Sequence, residues 1–88
     1  MKINKKDFVR AKVHAHLTPG EALKMLRELQ GLTQSDLVEK TGISQSNISA
    51  LESNARQIGR ERAIVLAKAL KVHPAVLLFP DFDFSQVA

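Results

Sequence analysis

The chain contains no cysteine, no tryptophan and no tyrosine. Without cysteine there is no disulfide, no thiolate nucleophile and no cysteine-based metal site, a composition that fits a reducing cytoplasm. No apolar run approaches the ~18 residues of a membrane span, so no membrane partner is expected. The opening MKINKKDF lacks the apolar core of a signal peptide. No glycine-rich phosphate loop occurs. The serines lack a base and an orienter, because the three histidines lie in an arm and a connector. The carboxylates are scattered over helix surfaces. His14 and His16 would share a face of an extended segment, but they lack the third and fourth ligands that zinc requires. These absences speak against an enzyme and a resident metal, and nothing in the sequence calls for a cofactor.

What is present is a single small domain. Eighty-eight residues bury only roughly 60–65% of their unfolded surface, so the core is modest and a dimer interface would help it. Net charge is +4, and its placement is informative. Lys2, Lys5, Lys6, Arg10 and Lys12 against Asp7 give residues 1–17 a net +4. Residues 18–79 carry +2, and Asp81 with Asp83 gives the tail −2. A basic balance suits nucleic acid.

Phe8 to Leu17 alternates. Val9, Ala11, Val13, Ala15 and Leu17 are apolar, whereas Arg10, Lys12, His14 and His16 are polar. That period of two favours a strand. The alternative is a helix, since Val9, Val13 and Leu17 also fall at i, i+4 and Asn4 with Asp7 suits a capping box. A lone strand needs a sheet edge supplied by a second copy or another protein.

Helices follow. Thr18-Pro19-Gly20-Glu21 combines an N-cap, a proline at the first helical position and the acid of a capping box. The helix runs to about Gln30, with Ala22, Leu23, Leu26 and Leu29 as its apolar stripe and Met25 beside it. Thr33 and Asp36 form a second capping box, and Gly42 suits the positive φ that ends a helix near Thr41. Ile43 plugs the turn and Ser44 caps a third helix, Gln45 to Ser53, with Ile48 and Leu51 inward. Arg60 to Leu70 is a fourth, with Ala63, Ile64, Leu66, Ala67 and Leu70 apolar. Pro74 to Leu78 is a short fifth. Val76, Leu77, Leu78 and Phe79 are too apolar for five residues alone, so part of that cluster is assigned to a dimer contact.

The outer face of the third helix is Gln45, Ser46, Asn47, Ser49 and Ala50. It is small, polar and uncharged. Such a face is ordinarily solvated surface; the two-helix pattern around it gives it the character of a helix that enters a groove and hydrogen-bonds there.

LTQSDL, then TGISQSNISALESN, then RAIVLAKALKV resemble the Cro/phage-repressor (Xre) family over about Thr18 to Pro80. Gln34 and Gln45 have the family's eleven-residue spacing. The resemblance implies an all-α fold: a five-helix lambda-repressor-like DNA-binding domain at 18–80, with a basic N-terminal arm at 1–17 and an acidic-aromatic tail at 81–88. It implies a recognition helix whose N-terminal residues meet base edges in the major groove. Gln45 then suits adenine, Ser46 and Ser49 either kind of base edge, Ala50 a thymine methyl, and Asn47 a base or a phosphate. Gln34, at a helix N-terminus, suits a phosphate oxygen and in the family also steadies the residue at Gln45. Ser44 caps the recognition helix beside the same groove, and Arg56 suits the DNA backbone. Arg27 and Glu52 fall where family members place a buried ion pair, a structural feature.

Two functions follow from the resemblance. One is a transcriptional repressor acting as a homodimer on a pseudo-palindromic double-stranded operator. The other adds a protein partner. LKVHPAVLLFP and the arm look like those of small HigA-type antitoxins, which repress their own operon and neutralise a toxin. Val9, Arg10, Ala11, Lys12 and Val13 would then meet the toxin by adding a strand. In a stand-alone regulator the arm would instead contact DNA.

Overall fold

A computed structural model describes residues 17–81. Of the segment Phe8 to Leu17, read above as strand or helix, only Leu17 is described; residues 8–16, with the arm residues Val9 to Val13, and the tail beyond Asp81 lie outside the described residues. Those residues contain five helices and no strand: α1 (Pro19–Leu29), α2 (Gln34–Thr41), α3 (Gln45–Glu52), α4 (Arg60–Leu70) and α5 (Ala75–Leu78). This is the order and number expected. None of them is long and apolar enough to cross a membrane.

Local chemistry sets the helix starts. The Thr18 hydroxyl accepts the Glu21 N–H at 3.1 Å, and the Glu21 carboxylate accepts the Thr18 N–H at 3.0 Å. Thr33 and Asp36 repeat this at α2, with distances of 3.0 and 2.8 Å. Each box satisfies two amides that a helix start leaves without partners. Pro74 stands just outside α5 as its N-cap, so α5 begins one residue later than expected.

The core is aliphatic. Leu23, Leu37, Ile48, Leu51, Leu66, Leu70 and Leu77 are fully buried, and Ile43 and Ile58 close it from the loops. α1 packs on α3 and α5, α2 packs on α3 and α4, and α4 packs on α5. Two stripe assignments are corrected. Leu29 is 75% exposed. The buried side of α1 runs along Gly20, Ala22, Leu23 and Arg27, and Leu29 lies roughly 200° around the helix from Arg27. Ile64 is half-exposed because the inward set of α4 is the strict i, i+3, i+4, i+7 series Ala63, Leu66, Ala67 and Leu70. Of the apolar cluster before the tail, Leu77 is core and Phe79 is exposed.

Side chains join distant parts of the chain. The Gln30 amide donates to the Leu70 carbonyl at 2.7 Å, which satisfies a carbonyl at the end of α4. The Leu17 N–H donates to Asp81 Oδ1 at 2.9 Å, bringing the two ends of the described chain together.

Candidate nucleic-acid interface

α2 and α3 are joined by Gly42, Ile43 and Ser44 alone. Gly42 has φ +76° and its N–H donates to the Val38 carbonyl at 2.8 Å, a left-handed helix stop that glycine adopts without strain. Thr41 fixes what comes next. Its hydroxyl donates to the Leu37 carbonyl at 2.6 Å and accepts the Ile43 N–H at 3.1 Å. Ile43 is buried beneath the turn. The Ser44 hydroxyl accepts the Asn47 N–H at 3.2 Å and lies 3.3 Å from the Ser46 hydroxyl. The start of α3 is therefore held by a plug from below and a cap from above.

α3 divides sharply. Ile48, Leu51 and Glu52 are buried. Gln45, Ser46 and Ser49 are exposed, and Asn47 and Ala50 are half-buried. The Gln45 side chain makes no hydrogen bond among the described residues, so its amide is available to a ligand. Gln34 opens α2 and is half-buried. Its amide does not go to Gln45, as the resemblance suggested. Gln34 Nε2 donates to Glu52 Oε1 at 3.1 Å.

Beneath this surface sits a charged knot. Arg27 Nε donates to Glu52 Oε2 at 2.6 Å, and Arg27 Nη2 donates to Glu52 Oε1 at 3.0 Å. Arg27 Nη1 donates to the Leu32 carbonyl at 2.8 Å, just before the α2 cap. Arg27 is 8% and Glu52 7% exposed, so the pair is buried and every bond counts. The Glu52 hydrogen bond holds the guanidinium above its ordinary pKa, against the opposing effect of burial. α1, α2, α3 and the α1–α2 linker all meet here.

The far end of α3 is fixed by residues that sequence reasoning missed. Gly20 lies so close to α3 that a Cβ there would stand 2.3 Å from the Leu51 carbonyl oxygen and 2.8 Å from that of Glu52. Asn54 has φ +66°, a conformation that asparagine tolerates better than most residues, and its Oδ1 accepts the Gly20 N–H at 3.2 Å. The signal available in the sequence was the asparagine itself just past a helix end. Arg56 is exposed in the α3–α4 loop, and its backbone N–H donates to the Ala50 carbonyl at 3.1 Å, which ties the loop to α3.

The structure thus brings Gln34, Ser44, Gln45, Ser46, Asn47, Ser49 and Ala50 onto the two helix starts and the outer face of α3. Arg56 follows on the next loop, and Arg27 and Glu52 lie beneath. The arm residues Val9, Arg10, Ala11, Lys12 and Val13 are outside the described residues.

Comparison with known proteins gives a consistent result. The helix-turn-helix family profile matches residues 23–77. Four solved chains match, among them the following two. One is the restriction-modification controller protein C.AhdI from Aeromonas hydrophila: 28% identity, TM-score 0.65, covering 76% of this chain and 97% of that one. The other is the solution structure of the DNA-binding domain of the P22 C2 repressor: 28% identity, TM-score 0.69, covering 84% of this chain and 99% of that one. No curated protein matches the chain in sequence.

Proposed function

The chain belongs to the helix-turn-helix family, and from that premise we propose that it is a sequence-specific, DNA-binding transcriptional repressor. One observation carries this reading: the outer face of α3 is free of charge, opens on an unbonded Gln45 amide, and is braced from both ends. A solvated helix face gains nothing from being uncharged. A face that reads bases does, because amides and hydroxyls offer donors and acceptors in fixed directions.

The roles follow from residue chemistry. Gln45 pairs with adenine N6 and N7, Ser46 and Ser49 meet either kind of base edge, and Ala50 accepts a thymine methyl. Asn47 reaches a base or phosphate. Gln34, Ser44 and Arg56 hold the DNA backbone and set the register. A homodimer places two α3 helices one turn of duplex apart, about 34–36 Å, on a pseudo-palindrome. Selection from a randomised duplex pool tests this. Enrichment of an inverted repeat with half-sites about 10 base pairs apart supports it. A pool left unenriched overturns it.

A finer reading is that of an antitoxin that represses its own operon. The alternation of Val9, Ala11 and Val13 with Arg10 and Lys12 supports it, since such a segment suits the edge of a partner's sheet better than a phosphate backbone. Removal of residues 1–16 separates the alternatives. If the arm serves a toxin, operator affinity is retained and neutralisation is lost. If it grips DNA, the salt dependence of binding becomes shallower by about 0.9 for each phosphate contact removed.

A further inference from the structure

We propose that Glu52 is a positioning residue for DNA recognition, acting through Gln34; the inference rests on the repressor reading above. The argument begins with one oxygen. Glu52 Oε1 accepts from both Arg27 Nη2, at 3.0 Å, and Gln34 Nε2, at 3.1 Å. An ionised carboxylate only accepts hydrogen bonds. Gln34 can therefore meet it with the amide nitrogen and in no other way. The Gln34 oxygen is left on the opposite side of the amide, together with the second N–H. One end of this surface amide has its polarity dictated from the protein interior.

The dictating group is itself immobile. Glu52 is buried, and its other oxygen takes Arg27 Nε at 2.6 Å. Arg27 in turn is pinned to the Leu32 carbonyl at 2.8 Å. A chain of hydrogen bonds thus runs from α1 through the end of α3 to the half-buried amide of Gln34, the first residue of α2. Gln45 has no such support among the described residues. The two glutamines are accordingly different devices. Gln34 is prepositioned with a fixed polarity, whereas Gln45 adapts. A purely structural Glu52 would need Arg27 but would be indifferent to the side chain at 34.

Two measurements decide this. The first is side-chain 15N relaxation on the free, full-length protein, which requires no DNA. Gln34 Nε2 is expected to be as rigid as the helical backbone, with Gln45 mobile. A Gln34 amide as mobile as that of Gln45 overturns the proposal. The second is a double-mutant cycle on the duplex selected by the wild type, using Gln34→Met, Glu52→Gln and both together, at a temperature where circular dichroism shows each variant folded. A glutamine at 52 presents donor or acceptor equally, so the Gln34 amide loses its fixed polarity. Each single variant is expected to weaken binding about fivefold, the worth of one hydrogen bond, and the double variant no further. Multiplying effects, about 25-fold in the double variant, overturn the proposal. If Glu52→Gln does not fold, or if the wild type selects no duplex, the relaxation measurement still decides. The latter failure belongs to the repressor reading alone.

Discussion

Arg27 and Glu52 face each other as a two-bond, nearly dry ion pair, Nε to Oε2 at 2.6 Å and Nη2 to Oε1 at 3.0 Å. Removing one partner leaves the other charge buried and uncompensated. Arg27→Ala is expected to destabilise the domain by about 3–5 kcal/mol, a large fraction of a small domain's total. Urea unfolding followed by circular dichroism measures it, since the chain has no tryptophan to report by fluorescence. Replacing the pair together, Arg27→Met with Glu52→Leu, is expected to recover most of that loss. A stable Arg27→Ala variant would contradict the account of the knot.

Gly20→Ala is the second test. Alanine is the better helix former by about 1 kcal/mol. The new Cβ would nevertheless stand 2.3 Å from the Leu51 carbonyl oxygen, which is backbone and cannot swing aside. α1 must move off α3, and the expected cost is about 1–3 kcal/mol. Gly59→Ser is the control. Nothing lies within 4 Å of a Cβ there, φ is −78°, and serine suits an N-cap. Its stability is expected to stay within about 0.5 kcal/mol of wild type.

The capping box of α2 makes a prediction about acid. The Thr33 backbone N–H and hydroxyl hold the Asp36 carboxyl below its ordinary value of 3.8. A depressed carboxylate contributes stability that is fully present above that ordinary value and is lost as pH falls through the lower, folded value. Thermal unfolding between pH 5 and pH 2 is therefore expected to show a smaller acid loss for Asp36→Asn than for wild type. Thr33→Ala is expected to cost about 0.5–2 kcal/mol at neutral pH. An identical acid slope in Asp36→Asn and wild type would contradict this.

The fold was legible where one residue type does one job. Thr18, Thr33 and Ser44 cap, Gly42 stops, and Ile48 with Leu51 faces inward, and each of these is local chemistry written at fixed offsets. The candidate recognition face was legible for the same reason, as an uncharged run where Lys and Glu are the norm. What sequence reasoning missed depends on partners far along the chain. Gly20 looks like part of a helix start, yet its role is the approach to Leu51 and Glu52, 31 and 32 positions away. Gln34 looks like a partner for Gln45, yet it is claimed by a carboxylate 18 residues on. Leu29 and Ile64 are apolar residues at the margin of a stripe, and the buried sets of α1 and α4, centred on Leu23 and Arg27 and on Leu66 and Ala67, leave them outside.

The most direct test of the central claim is the affinity of Gln45→Ala for the selected duplex, for that duplex altered one base pair at a time, and for random DNA. The account predicts a loss of about 1–3 kcal/mol on the selected duplex, relaxed preference at one base pair of each half-site, and little change on random DNA. An equal loss on every duplex, or no loss on any, would contradict it.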